Sequence, residues 1–292
     1  MTGSTLFADA MALRKLSEGV YQGELNSYWT IGPKLHGGAM LALCANAARL
    51  AHGGLARTDP GSSGGGRGET VAGQLGAQPI AISASYLSAP DPGPMRVHTH
   101  VRKRGRRISV IDAELTQGDR TAVHAVVTLG EPEHAVPPLL AVNPVAALMA
   151  PEPPPGVESI GPGHPLASIN HLAAGCDIRP LMSTVPTELP PDGRAPVIQI
   201  WVRPRDETPD ALFALVCGDI SVPVSFALGR RGWAPTVQLT AYLRGMPADG
   251  WLRVICSTTQ IGQDWFDEDH TVVDCEGRIV VQTRQLAMVP ER

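Results

Sequence analysis

Four short segments carry side chains able to do chemistry. Cys217-Gly-Asp-Ile-Ser-Val-Pro223 sets an aspartate between a glycine and a proline, and Pro235-Thr-Val-Gln-Leu-Thr240 places two hydroxyls on one strand. Gln282-Thr-Arg-Gln-Leu-Ala287 holds an amide inside an apolar alternation, and Leu35-His-Gly-Gly38 opens a helix with a histidine. A carboxylate can take a proton from water if the geometry is right, and a hydroxyl and an amide can orient that water by hydrogen bonds. Each residue also has a plain structural reading. Asp219 could cap a helical turn after Gly218, and threonine is a common strand residue. Thr236 and Thr240 share a face by two-residue alternation, so periodicity does not choose between them. Gln285 shares its face with Val281, Thr283 and Ala287, a side that a helix could cover. A buried amide there needs partners, which a water site would supply.

Other candidates are weaker. Cys217 has no histidine near it in sequence to lower its pKa and reads as a small buried hydrophobe. Arg102-Lys-Arg-Gly-Arg-Arg107 could meet phosphates in fork geometry or protect a strand edge from pairing. A formal net charge of −4 with 18% charged residues argues against nucleic acid as a partner. The five cysteines show no CxxC spacing, which fits a reducing compartment, and no cluster has metal-ligand spacing. The N-terminus does not read as a secretory signal and no apolar run is long enough to span a bilayer, so the cytoplasm is expected.

The elements that must position these residues repeat. Ile82 to Val97 matches Val237 to Val254, each a strand, a Pro/Gly turn and a strand. Ser109 to Leu129 answers His270 to Val289, each two alternating apolar strands joined by QGDR or CEGR. A dominant helix precedes each set: His36 to Ala51 in the first half, and Pro209 to Leu228 in the second, broken near Asp219 by Gly218 and Pro223. Each half therefore reads as a strand, a helix and four antiparallel strands, an α+β arrangement. The proline-rich stretch from Glu131 to Pro165 reads as a linker with one short helix at Val145 to Met149. This divides the chain into residues 14–132, a linker 133–165, and residues 166–292. A glycine-rich stretch from His52 to Gln78 reads as a surface loop.

This order resembles the double hotdog fold, in particular the TesB-like acyl-CoA thioesterase II family. The carriers are Tyr28-Trp-Thr-Ile-Gly-Pro-Lys-Leu-His-Gly-Gly38 together with the Asp219, Thr236 and Gln285 segments quoted above. The resemblance implies two tandem hotdog domains, each a long helix wrapped by a curved antiparallel sheet, pairing as an intrachain pseudo-dimer. It implies hydrolysis of an acyl-CoA to free acid and CoA by water activated by Asp219, Thr236 and Gln285, without cofactor or metal. Attack by Asp219 itself, giving an anhydride, uses the same residues. His36, Gly37, Gly38, Arg104, Arg106 and Thr240 form the expected substrate-binding set. Ala39 to Arg49 holds no acid, so the first domain reads as catalytically degraded, with His36 ordering the loop or lining the acyl pocket.

Two rivals remain. A hotdog enoyl-CoA hydratase would need a histidine where Val224 stands, and a non-catalytic acyl-CoA or acyl-carrier binding protein would keep the pocket without turnover. The exposed backs of the sheets suggest a homodimer or larger homo-oligomer.

Overall fold

The computed structural model describes residues 3–55, 76–133 and 136–290; most of the expected glycine-rich loop lies outside them. The first half holds α1 (Phe7–Ala10), β1 (Arg14–Ser17), β2 (Val20–Leu25), a small hairpin of β3 (Thr30–Ile31) and β4 (Lys34–Leu35), and α2 (Gly37–Leu55). Four strands follow: β5 (Gln78–Tyr86), β6 (Gly93–Lys103), β7 (Ile108–Gln117) and β8 (Arg120–Gly130). After α3 (Pro144–Leu148) come β9 (Cys176–Pro180), β10 (Val197–Pro204) and α4 (Ala211–Cys217). The last four strands are β11 (Thr236–Leu243), β12 (Leu252–Ser257), β13 (Trp265–Val273) and β14 (Ile279–Met288).

Twelve of these strands form one antiparallel sheet in the order β1-β2-β6-β7-β8-β5-β11-β14-β13-β12-β10-β9. Read outward from the β5/β11 seam, the order of the first half is repeated by the second, strand for strand. The seam is a regular pairing from Gln238↔Ser85 to Tyr242↔Ala81, so the two hotdog domains share one continuous sheet, as the resemblance implied. Each half sends two strands into the large sheet before its helix rather than the single strand expected. The edge strand β1, RKLS, is exposed at every position and so shows no alternation to read. Its charges suit an edge that must not pair with another chain.

The helices lie against the inner face of the sheet. Every residue of α2 from Ala39 to Ala48 and every residue of α4 is buried. The apolar residues of both halves merge into one core, and removal of that surface from water favours their association. The predicted break is where the sequence placed it: α4 ends at Cys217, and a short 3-10 turn resumes at Val224–Leu228. The segment around α3 packs against the second half. Val145 and Met149 pack with Trp201, Trp251 and Ile255, and Trp201 Nε1–H donates to the Ala150 carbonyl at 2.9 Å.

Candidate active site

The break in the second helix puts Asp219 against the start of the first. Gly218 allows the close passage of β14, since a Cβ there would sit 2.3 Å from Thr283 Cγ2. Thr283 Oγ1 donates to the Gly218 carbonyl at 2.5 Å, fixing the chain just where the helix stops. The Asp219 side chain, 9% exposed, then reaches the N-terminus of α2 and accepts the Gly38 N–H at Oδ2, 2.7 Å away. That N–H is one of the unpaired donors of a helix start, where the macrodipole also favours negative charge. Gly37 and Gly38 must be small: a Cβ on Gly37 would lie 2.7 Å from Asp219 Oδ2, and one on Gly38 would lie 2.9 Å from the Val216 carbonyl. Tyr86 on β5 closes this corner, its hydroxyl donating to the Gly37 carbonyl at 2.9 Å.

His36 orders the junction. The Ala39 N–H donates to its Nδ1 at 3.2 Å, so the ring caps α2, and its Nε2–H donates to the Asp219 backbone carbonyl at 2.8 Å. With both nitrogens engaged, this histidine holds the loop and has no free lone pair with which to act as a base. Burial pushes the Asp219 carboxyl above the usual carboxylate range, opposed by His36, the Gly38 N–H and the Gln285 amide.

Thr236 and Gln285 meet on the same inner face. Thr236 Oγ1 donates to Gln285 Oε1 at 2.8 Å. They can do so because a bulge between Thr236 and Gln238 resets the register: Thr236 stands opposite the buried Ala287, and Leu239 opposite Gln285. The same bulge corrects the expectation for Thr240, which pairs with the exposed Arg284 and faces outward, away from Asp219. Simple alternation fails across one extra residue.

The model of the acyl-CoA thioesterase N-terminal domain matches residues 25–130, and that of the acyl-CoA thioesterase C-terminal domain matches residues 146–289. The chain belongs to the acyl-CoA thioesterase family. An uncharacterised protein of Mycobacterium tuberculosis is 61% identical, the match covering 98% of this chain and 99% of that one. Among solved structures, a thioesterase II candidate from Thermobifida fusca is similar with a TM-score of 0.76 at 24% identity over 100% of both chains. The acyl-CoA thioesterase II TesB2 of Mycobacterium marinum has a TM-score of 0.65 at 16% identity, over 98% of this chain and 97% of that one. At such identities these two likenesses speak for the fold alone.

In this thioesterase the arginine cluster is not brought to Asp219. Arg104 and Arg106 are exposed at the β6–β7 turn, and Arg104 Nη2–H donates to the His52 carbonyl at 3.3 Å. His52 lies near the far end of α2, roughly 22 Å from Gly37 at about 1.5 Å per residue. Cys217 is buried, and burial pushes its thiol well above the ordinary range, which suits a packing role.

Sequence reasoning missed the polar residues of β13. Glu268 and His270 share the inner face with Phe266 and Val272, and all four are buried. Polar residues at the inward positions of an alternating strand were the available signal. Glu268 Oε1 accepts the Val224 N–H at 2.8 Å, and Oε2 accepts from Gln285 Nε2 at 2.5 Å. His270 Nε2 is 2.9 Å from Ser221 Oγ. Cys256, Glu268 and His270 place one ligand atom each within 4.8 Å of one another, a spacing a cation could use. Both carboxylate oxygens of Glu268 are already engaged, however, and the Cys256 thiol is held well above its ordinary range by burial. The donor set fits a hydrogen-bonded interior better than a metal centre.

Proposed function

We propose that this thioesterase hydrolyses acyl-CoA to free acid and CoA at Asp219, Thr236 and Gln285. The observation that carries the reading is the convergence of these side chains, from a broken helix and two neighbouring strands, beside the N-terminus of α2. Asp219 takes a proton from a water, whose oxygen attacks the thioester carbonyl carbon. Thr236 and Gln285 orient that water, and collapse of the tetrahedral intermediate expels the CoA thiolate, a leaving group good enough to need no strong acid. Asp219 is a fit base: it is desolvated, and its donors, the Gly38 N–H and the Gln285 amide, fix the carboxylate without neutralising it. Three N–H groups of the helix break, those of Gly218, Asp219 and Val224, are bonded to Leu215, Val216 and Glu268, so an oxyanion needs other donors.

The hydratase reading is weaker because Val224 is apolar and its N–H is spent on Glu268. The substrate enters beside Gly37 and Gly38. Residues 14–132 and 166–292 act as the two domains, the first catalytically degraded, and the protein works in the cytoplasm as a homodimer or larger homo-oligomer. The test is release of free thiol from short-, medium- and long-chain acyl-CoA esters by the parent and by Asp219→Asn. Hydrolysis by the parent that collapses in the variant supports activity and site together. Binding of acyl-CoA without turnover by the parent would turn the reading to a carrier.

A further inference from the structure

Three side chains stand in line across β13, β14 and β11: Glu268, Gln285 and Thr236. Glu268 is 2% exposed and Gln285 6%, and the two are directly opposed across neighbouring strands. The line has a direction, because a primary amide has one donating and one accepting end that differ little in shape. When Glu268 is ionised, both its oxygens accept, one from Val224 and one from Gln285. The second N–H of the amide is then left for Asp219, which it hydrogen-bonds, and Gln285 Oε1 accepts the Thr236 hydroxyl. Thr236 Oγ1 is left with lone pairs to accept from water.

When Glu268 is protonated, Oε1 still takes the Val224 N–H, so the proton resides on Oε2 and requires an acceptor. The amide satisfies it by turning over. Its carbonyl then accepts from Glu268 and confronts Asp219, its NH2 donates to Thr236 Oγ1, and the Thr236 hydroxyl donates outward.

We propose that Glu268 is a positioning residue whose own proton decides which end of the Gln285 amide faces Asp219 and Thr236, and so whether Thr236 accepts from the attacking water. The inference rests on the Asp219, Thr236 and Gln285 reading above. The surroundings place the change in an accessible range. Burial raises Glu268 to about 8, helped by the charges of Asp219 and Asp267 and opposed by the Val224 N–H and Gln285. Of the other groups that face it, His270 is held down to about 3 by burial, and the Cys256 thiol on β12 is pushed well up by burial. His36, beyond Asp219, has both ring nitrogens engaged.

Glu268→Gln locks one state. Its carbonyl keeps the Val224 N–H, so its NH2 is aimed at Gln285 and imitates the protonated acid. The experiment measures kcat and KM for acyl-CoA hydrolysis between pH 6 and pH 9.5 in the parent, Glu268→Gln and Asp219→Asn, with enzyme-free blanks subtracted. The parent kcat should rise about tenfold through the Glu268 titration, while Glu268→Gln stays flat at the acid-side value with KM within about twofold. A Glu268→Gln profile that rises like the parent's overturns the proposal. If Glu268→Gln does not fold, the parent labelled with carboxyl-13C glutamate decides: one carboxyl must titrate near pH 8, and its absence overturns the proposal. Full activity in Asp219→Asn would instead sink the active-site reading and this inference with it. Collapse of Asp219→Asn beside a parent-like Glu268→Gln sinks this inference alone.

Discussion

The two halves cover the same order of strands with helices of very different continuity. In the first, α2 runs unbroken for 19 residues, rich in alanine and leucine. In the second, α4 stops after 7 residues, and the chain crosses the same sheet as an irregular segment and a 3-10 turn. A continuous helix offers the interior only side chains, and those of Ala39 to Ala48 carry no acid. A broken one can set a carboxylate at its seam, where it meets the free N–H groups of a neighbouring helix. The fold thus has two similar frames and one of them interrupted. The interruption depends on Gly218, because Thr283 occupies the space a side chain would need.

The largest effect expected from breaking this contrast is at the seam. Asp219→Asn should lower kcat by about 10² to 10⁴-fold, the usual range for loss of a general base, with thermal stability kept. Steady-state thiol release and a melting curve check both halves of that statement. Gly218→Ala should destabilise by about 1–3 kcal/mol through overpacking against Thr283, read by urea denaturation.

The pH dependence of stability sharpens the contrast further, since only the second half buries a carboxyl of this kind among the described residues. Glu268 keeps its proton to about 8 in the fold and loses it near the ordinary 4.5 when unfolded. Its contribution is therefore fully present below the unfolded value and is lost as pH rises towards 8. The melting temperature should fall across that window in the parent and fall less in Glu268→Gln. Last, Arg104→Ala with Arg106→Ala should change KM by less than about twofold if the cluster serves only as an exposed turn far from Asp219. A larger rise would return these arginines to the substrate.

Much of this was legible in the sequence because it depends on local backbone chemistry. Gly218 and Pro223 announced the broken helix, and the matched hairpins the repeat. Gln285 was placed on the inner face by alternation from Val281 to Ala287, and that parity holds in β14. Thr240 was misplaced because a bulge shifts parity without any signature in PTVQLT. Glu268 escaped notice although Phe266, His270 and Val272 alternate around it, since a glutamate between two aspartates reads as a solvated strand. Its meaning comes from Gln285 across the strand pair and Val224 on a separate turn, both distant in sequence.

The Gly38 N–H belongs to one half and the Asp219 carboxylate to the other, so their contact is one that no local stretch of chain enforces. Suppose the backbone were cut between 136 and 142, where Val136, Leu139, Leu140 and Val142 lie exposed. On the proposed site each fragment would hold an incomplete centre, and turnover would depend on the product of the two fragment concentrations, returning only as they reassociate. On the proposed site, a first half whose helix carries no acid from Ala39 to Ala48 would be preserved by the same selection as its twin.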